Sequence, residues 1–175
     1  MAERCDECGL VYDTIMPVDA IVAIRSFGRR YREALGLLQD DEDPEDLVRR
    51  RPDPSTWSAL EYAAHVRGVL ELFDQRVRRA LVEDDPSVPN VRLDENPWEG
   101  HDPDDGVQEV LAGIAEASAR LAQVLEDADG DDWNRTVRRD GDELSVLWMA
   151  RNTVHEGAHH LRDLDKVLRA ARARR

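Results

Sequence analysis

Residues 105–128, DGVQEVLAGIAEASARLAQVLEDA, carry the cleanest amphipathic stripe in the chain. Val107, Val110, Leu111, Ile114, Leu121 and Leu125 recur at helical spacing with Gln, Glu and Arg between them, which is the period of a helix buried along one face. Three other stretches repeat the pattern. Pro17 to Leu38 sets Ile21, Ile24, Phe27, Tyr31, Leu35 and Leu38 on one side, with Pro17 in the first turn, where its missing N–H costs little, and Thr14 as a candidate cap. After the stop-and-cap sequence Asp53-Pro54-Ser55, a helix to about Glu83 carries Trp57, Leu60, Ala64, Val69, Leu72 and Phe73, with Arg67, Arg76, Arg78 and Arg79 on its wet side. The last helix spans about Glu143 to Arg172. Four such segments without a tandem repeat predict an all-α four-helix bundle with long connections. The stripes are too wide for a coiled coil.

The connections differ in character. From Asp84 to Gly106 there is no period, prolines and glycines break the chain, and Trp98 stands alone among polar residues, as in a lid or binding loop. Asp129 to Asp142 holds Trp133 and an Asp-Gly pair that can close a small hairpin. The other tryptophans, Trp57, Trp133 and Trp148, are assigned to the core.

The 175 residues include 38 acidic and 24 basic side chains, a net charge of −14, with 41% apolar residues. That is one bundle domain, residues 15–175, preceded by a short element over residues 1–14. The negative charge disfavours nucleic acid and anionic membranes as partners, because non-specific affinity for phosphate comes from Lys and Arg displacing counterions. Without an apolar run of about 18 residues or an export signal, the expected location is the cytoplasm. Lys166 is the only lysine, and the Arg, Ala and Asp-heavy usage suits a GC-rich bacterial genome.

Chemistry concentrates in five histidines and two cysteines. His155 and His159 lie four apart on the last helix, about 40° apart around it, so two imidazoles can share one ion. His160 is about 140° from His155 and is left outside that shell. With Ala158 at the centre of the buried stripe, flanked by Leu147, Val154 and Leu161, His155 and His159 face inward or along a seam. His65 faces inward on the second helix. Together His65, His155 and His159 make a candidate three-histidine site with an open position, as in catalytic zinc centres; hydrogen-bonded core histidines are the alternative. Asp163, four residues after His159, can orient an imidazole, and Glu61 can act as a base or outer partner, although either can be a surface carboxylate. Trp98 is the tryptophan expected near a ligand. The Arg49-Arg50-Arg51 cluster either receives an anion or balances the acidic run Asp40 to Asp46. Cys5 and Cys8, in Cys-x2-Cys-Gly, form half of a zinc knuckle. The other half would come from His101 or a second subunit; otherwise the pair is a redox couple or a plain turn.

The runs Trp57-Ser58-Ala59-Leu60-Glu61-Tyr62-Ala63-Ala64-His65 and His155-Glu156-Gly157-Ala158-His159-His160-Leu161-Arg162-Asp163-Leu164 resemble the second-helix and last-helix motifs of the DinB-like superfamily. The resemblance covers nearly the whole chain and implies a four-helix bundle binding a divalent ion, zinc, nickel or similar, through His65, His155 and His159. It also implies, through some branches, a transferase or isomerase using a low-molecular-weight thiol, mycothiol or bacillithiol, on a small-molecule electrophile. A metal-dependent hydrolase, or a non-catalytic bundle stabilised by metal and acting through a partner or as a homodimer, are the alternatives. The Cys5-to-Gly9 element is a departure from the family pattern.

Overall fold

The computed structural model describes residues 4–36 and 44–173. Five helices, α1 (Pro17–Gly36), α2 (Pro44–Arg49), α3 (Ala59–Val82), α4 (Val107–Glu126) and α5 (Val146–Ala173), are joined by two strands, β1 (Thr136–Arg139) and β2 (Asp142–Ser145), and by 3-10 turns at Tyr12–Thr14 and Gly130–Asn134. Leu38 and most of the acidic run lie outside the described residues; the part that is described, Glu45 and Asp46, belongs to α2, a helix too short to show a period.

The four long helices form the bundle. α1 packs against α4 and α5, and α3 packs against the same two, so α1 and α3 are diagonal partners although they are consecutive long helices. Only long connections permit that order. Phe27, Tyr31, Leu60, Leu70, Ile114, Leu121, Leu125, Met149 and Leu164 fill the centre and are essentially inaccessible to solvent. The hairpin closes as expected: Val137 pairs with Leu144, and Asp140 and Gly141, at φ 53° and 93°, both take the left-handed conformation that a two-residue turn requires.

Three local expectations change. The start of α3 is capped by Ser58, whose side chain accepts from the Glu61 amide while the Glu61 carboxylate accepts from the Ser58 amide, a reciprocal capping box. Ser55 instead turns back onto Asp53. Thr14 does not cap α1; its hydroxyl donates to the Val11 carbonyl, and Asp19 accepts the Met16 N–H. Arg67 and Arg76 are not on a wet face, because the 84–106 segment folds over the outer side of α3 and buries Val88 and Leu93 there. Arg67 donates twice to Asp105 at 2.9 Å. Arg76 lies over the Phe73 ring and donates to the Pro89 carbonyl at 2.7 Å, and burial lowers its pKa to about 10.

The phase of α5 decides which histidines meet. Its buried line runs through Val146, Ala150, Thr153, Gly157, Leu164 and Leu168, whereas Leu147, Ala158 and Leu161 are only partly buried. The centre is therefore Gly157, about 100° from Ala158. Gly157 marks the closest approach to α1: a Cβ there would sit 2.3 Å from the Phe27 ring, and the Tyr31 hydroxyl donates to its carbonyl at 3.0 Å. With that phase Glu156 and His160 turn toward α3. His155 and His159 turn away from the bundle axis, beneath residues 4–15, which are tied down by Arg151 donating to the Ile15 and Asp13 carbonyls and Arg162 to the Cys8 carbonyl. None of the described helices is long and apolar enough to cross a membrane.

Candidate metal centre

His65 reaches the centre from the second turn of α3, and its orientation is set from outside the helix. Its Nδ1–H donates to the Leu93 carbonyl at 3.1 Å, which leaves Nε2 with a lone pair. His160 is held in the same way: its Nδ1–H donates to Asp163 at 3.1 Å, and its Nε2 points inward. Both Nε2 atoms lie 3.3 Å from the same Glu156 oxygen, Oε2. Three electron-pair donors on one point repel unless a cation sits among them. Without metal the cation is a proton: burial disfavours a charged His160, but hydrogen bonds to Asp163 and Glu156 outweigh it and raise its pKa to about 9. Hydrogen bonds from His155, His160 and His65 hold the Glu156 carboxyl well below the usual carboxylate range despite its burial. With metal–N and metal–O distances of about 2.0–2.2 Å, tetrahedral edges are roughly 3.3 Å, which the observed spacing matches. The set fits a divalent ion.

The expected trio of His65, His155 and His159 divides between two clusters. Among the described residues, ligand atoms fall within 4.8 Å of one another in three groups, His65–Glu156–His160, Cys5–Cys8–His155–His159 and, between these two, His159–His160–Asp163. The physical reason is the phase of α5. Small residues, Ala150, Thr153 and Gly157, form the true contact line but contribute little hydrophobic signal, so the larger Leu147 and Leu161 draw the apparent stripe around the helix. Glu156 is only 22% exposed at its side chain and bridges both clusters, a role the sequence signals only by the four-residue step to His160. Asp163 joins the clusters too, its Oδ2 lying 3.1 Å from His160 Nδ1 and 3.2 Å from His159 Nε2.

Other expected residues sit elsewhere. Glu61 does not touch His65; its carboxylate caps α3 and pairs with Arg51. Trp98 lines a separate cavity of about 220 Å³ with Leu60 and Pro103, and Trp57, assigned to the core, instead packs its ring 5.3 Å from His65. His101 pairs with Glu71 rather than with the cysteines. The arginine cluster is occupied internally: Arg49 donates to the carbonyls of Pro103, Asp104 and Asp105, Arg50 pairs with Asp46, and Arg51 with Glu61.

The His65–Glu156–His160 donors open onto a cavity of about 360 Å³ lined also by Ser55, Trp57, Tyr62 and Asp94. Tyr62 stacks on His160 at 5.3 Å. Among the described residues the lining holds aromatic faces, hydroxyls and a carboxylate, but no lysine or arginine. Such a site can hold an ion with an open position and a small neutral or polyhydroxylated ligand beside it.

Residues 24–164 match the family described as the DinB superfamily. Among solved structures, YfiT from Bacillus subtilis, described as a probable metal-dependent hydrolase with an unusual four-helix bundle topology, superposes with a TM-score of 0.73 at 12% identity, over 87% of this chain and 86% of that one. No curated protein sequence is significantly similar. At that identity the likeness to YfiT speaks for the fold.

Proposed function

The chain belongs to the DinB superfamily, and on that footing we propose that His65, Glu156 and His160 hold a catalytic divalent ion and that the protein is a transferase or isomerase that depends on a low-molecular-weight thiol and acts on small electrophiles. The observation that carries the reading is the convergence of two anchored Nε2 lone pairs on one carboxylate oxygen. Bound there, a divalent ion supplies Lewis acidity that makes a thiol nucleophilic at neutral pH. The chain's own residues do the rest. The Leu93 carbonyl and Asp163 fix both imidazoles, so the donors need no rearrangement when the ion arrives. Trp57 and Tyr62 shield one side from water, while Asp94 and Ser55 offer an acceptor and a hydroxyl to a polyhydroxylated thiol such as mycothiol. A cavity without cationic side chains suits such a neutral group better than a polyanion.

The fold likeness to YfiT favours a second reading, a hydrolase at the same residues with Asp94 as a base for water. A single assay series separates the two. Zinc-loaded protein should accelerate consumption of a small thiol by a chromogenic electrophile, and His160→Asn should lower that rate more than about 100-fold, beyond the 10–100-fold cost usual for an outer partner. Ester or amide cleavage without thiol, and no thiol consumption, would replace the transferase with the hydrolase.

A further inference from the structure

The Cys5-to-Gly9 turn lies on α5, where Arg162 donates to the Cys8 carbonyl, and its two sulfurs face two histidines some 150 residues further along the chain. We propose that Cys5, Cys8, His155 and His159 form a tetrahedral structural zinc site that staples the N-terminal segment to α5. The site shares no ligand with the His65–Glu156–His160 centre and stands whether or not that centre is catalytic.

The ligand types and spacings, Cys-x2-Cys and His-x3-His, are those of closed Cys2His2 zinc sites, here divided between the two ends of the chain. One ligand atom from each residue lies within 4.8 Å of the others. Cys5 Sγ is 3.6 Å from His159 Nδ1. For zinc–sulfur bonds of about 2.3 Å and zinc–nitrogen bonds of about 2.0–2.1 Å, a tetrahedron has edges of roughly 3.3–3.8 Å. The donors are already near those positions.

The outer partners set each ring in the tautomer that a metal needs. His155 Nδ1–H donates to Glu156 Oε1 at 3.3 Å, and its Nε2 is buried without a hydrogen-bond partner, a costly arrangement unless something binds there. His159 presents Nδ1 to Cys5, because its Nε2 faces the Asp163 and Glu7 carboxylates at 3.2 and 3.3 Å. The turn has the shape of a knuckle. Gly9, at φ 75°, donates its N–H to the Cys5 carbonyl, and the Cys5 N–H donates to the Leu10 carbonyl at 2.9 Å. Two thiolates and a dication sum to zero, so closing the site adds no net charge beside Glu156 and Asp163. Soft thiolates with imidazoles select zinc over hard ions such as magnesium or manganese.

Because Glu156 Oε1 accepts from His155 and Asp163 accepts from both His159 and His160, zinc at this site also fixes two carboxylates of the neighbouring centre. In that second role Cys5 and Cys8 are positioning residues.

The test uses the full untagged chain grown with zinc. Elemental analysis should find two zinc ions per chain in the wild type, one in Cys5→Ser/Cys8→Ser, and one in His65→Asn. Cobalt-substituted wild type and His65→Asn should both show thiolate-to-cobalt charge-transfer absorption in the near ultraviolet; the cysteine variant should lack it. Should the double variant fail to fold, the wild type alone decides: both thiols should react with an aromatic disulfide reagent at least about tenfold more slowly when zinc-loaded than after chelation. Unchanged zinc content without the cysteines, cobalt bound without the thiolate band, a Cys5–Cys8 disulfide in freshly purified protein, or thiols equally reactive with and without zinc would overturn the assignment.

Discussion

Asp163 illustrates how much a single carboxylate can organise. Its Oδ2 lies between the rings of His159 and His160, and its Oδ1 accepts from Lys166, so it orients one imidazole in each cluster while its own pKa is held below the ordinary value of 3.8 against the effect of burial. Asp163→Asn keeps the shape and removes the charge. It should weaken metal binding about 10–100-fold, read by competition with a chromogenic chelator, with little change in helix content. Gly157 is the opposite kind of residue, defined by what it lacks. Gly157→Ala would push a methyl group into the edge of the buried Phe27 ring, 2.3 Å away, and should lower stability by about 1–3 kcal/mol in denaturant unfolding. If Gly157→Ala unfolds at the same denaturant concentration as the wild type, the close contact between α1 and α5 is wrong.

At the scale of elements, the helix period was enough to find α1, α3, α4 and α5 within a few residues, because each buries a continuous stripe of large side chains. Phase was harder. α5 approaches α1 at Gly157, which carries no hydrophobic signal, and so the apparent stripe turns His155 and His159 inward where the structure turns Glu156 and His160 toward His65. α3 misled in another way, since Arg67 and Arg76 are buried by an aperiodic segment that no pattern reveals. The two halves of the cysteine–histidine cluster were both visible, but the whole bundle intervenes between them. The start of α3 gives a prediction at this scale. Glu61 sits in the capping box and on Arg51, and these partners lower its pKa against the opposing effect of burial. A depressed carboxylate contributes stability above its ordinary value of 4.5 that is lost as the pH falls below it. Glu61→Ala should therefore cost about 0.5–2 kcal/mol near neutrality, read from denaturant midpoints, and the difference from wild type should shrink below pH 4.5.

At the scale of the whole molecule, the protonation of the donor clusters and their metal loading pull stability in opposite directions with pH. In the metal-free chain the His160 pKa is raised to about 9 and that of His155 is raised by its hydrogen bond to Glu156. A raised histidine contributes stability that is complete below its ordinary value of 6.5 and fades as pH rises through the folded value, here between 6.5 and about 9. Glu156 and Asp163 are depressed, so their contribution is present above 4.5 and 3.8 and fades below. Metal-free protein should thus be most stable between about pH 4.5 and 6.5 and should weaken toward pH 9. The loaded protein must behave differently, because zinc displaces the protons on these donors and binds more tightly as they become easier to remove. The gap in melting temperature between zinc-loaded and chelated protein should widen steadily from pH 6 to pH 9, and zinc addition at pH 7 should release protons into a weakly buffered indicator solution. A gap that stays constant across that range, with no proton release, would mean that the imidazoles are not the ligands and that the charge network on α5 only holds the bundle together.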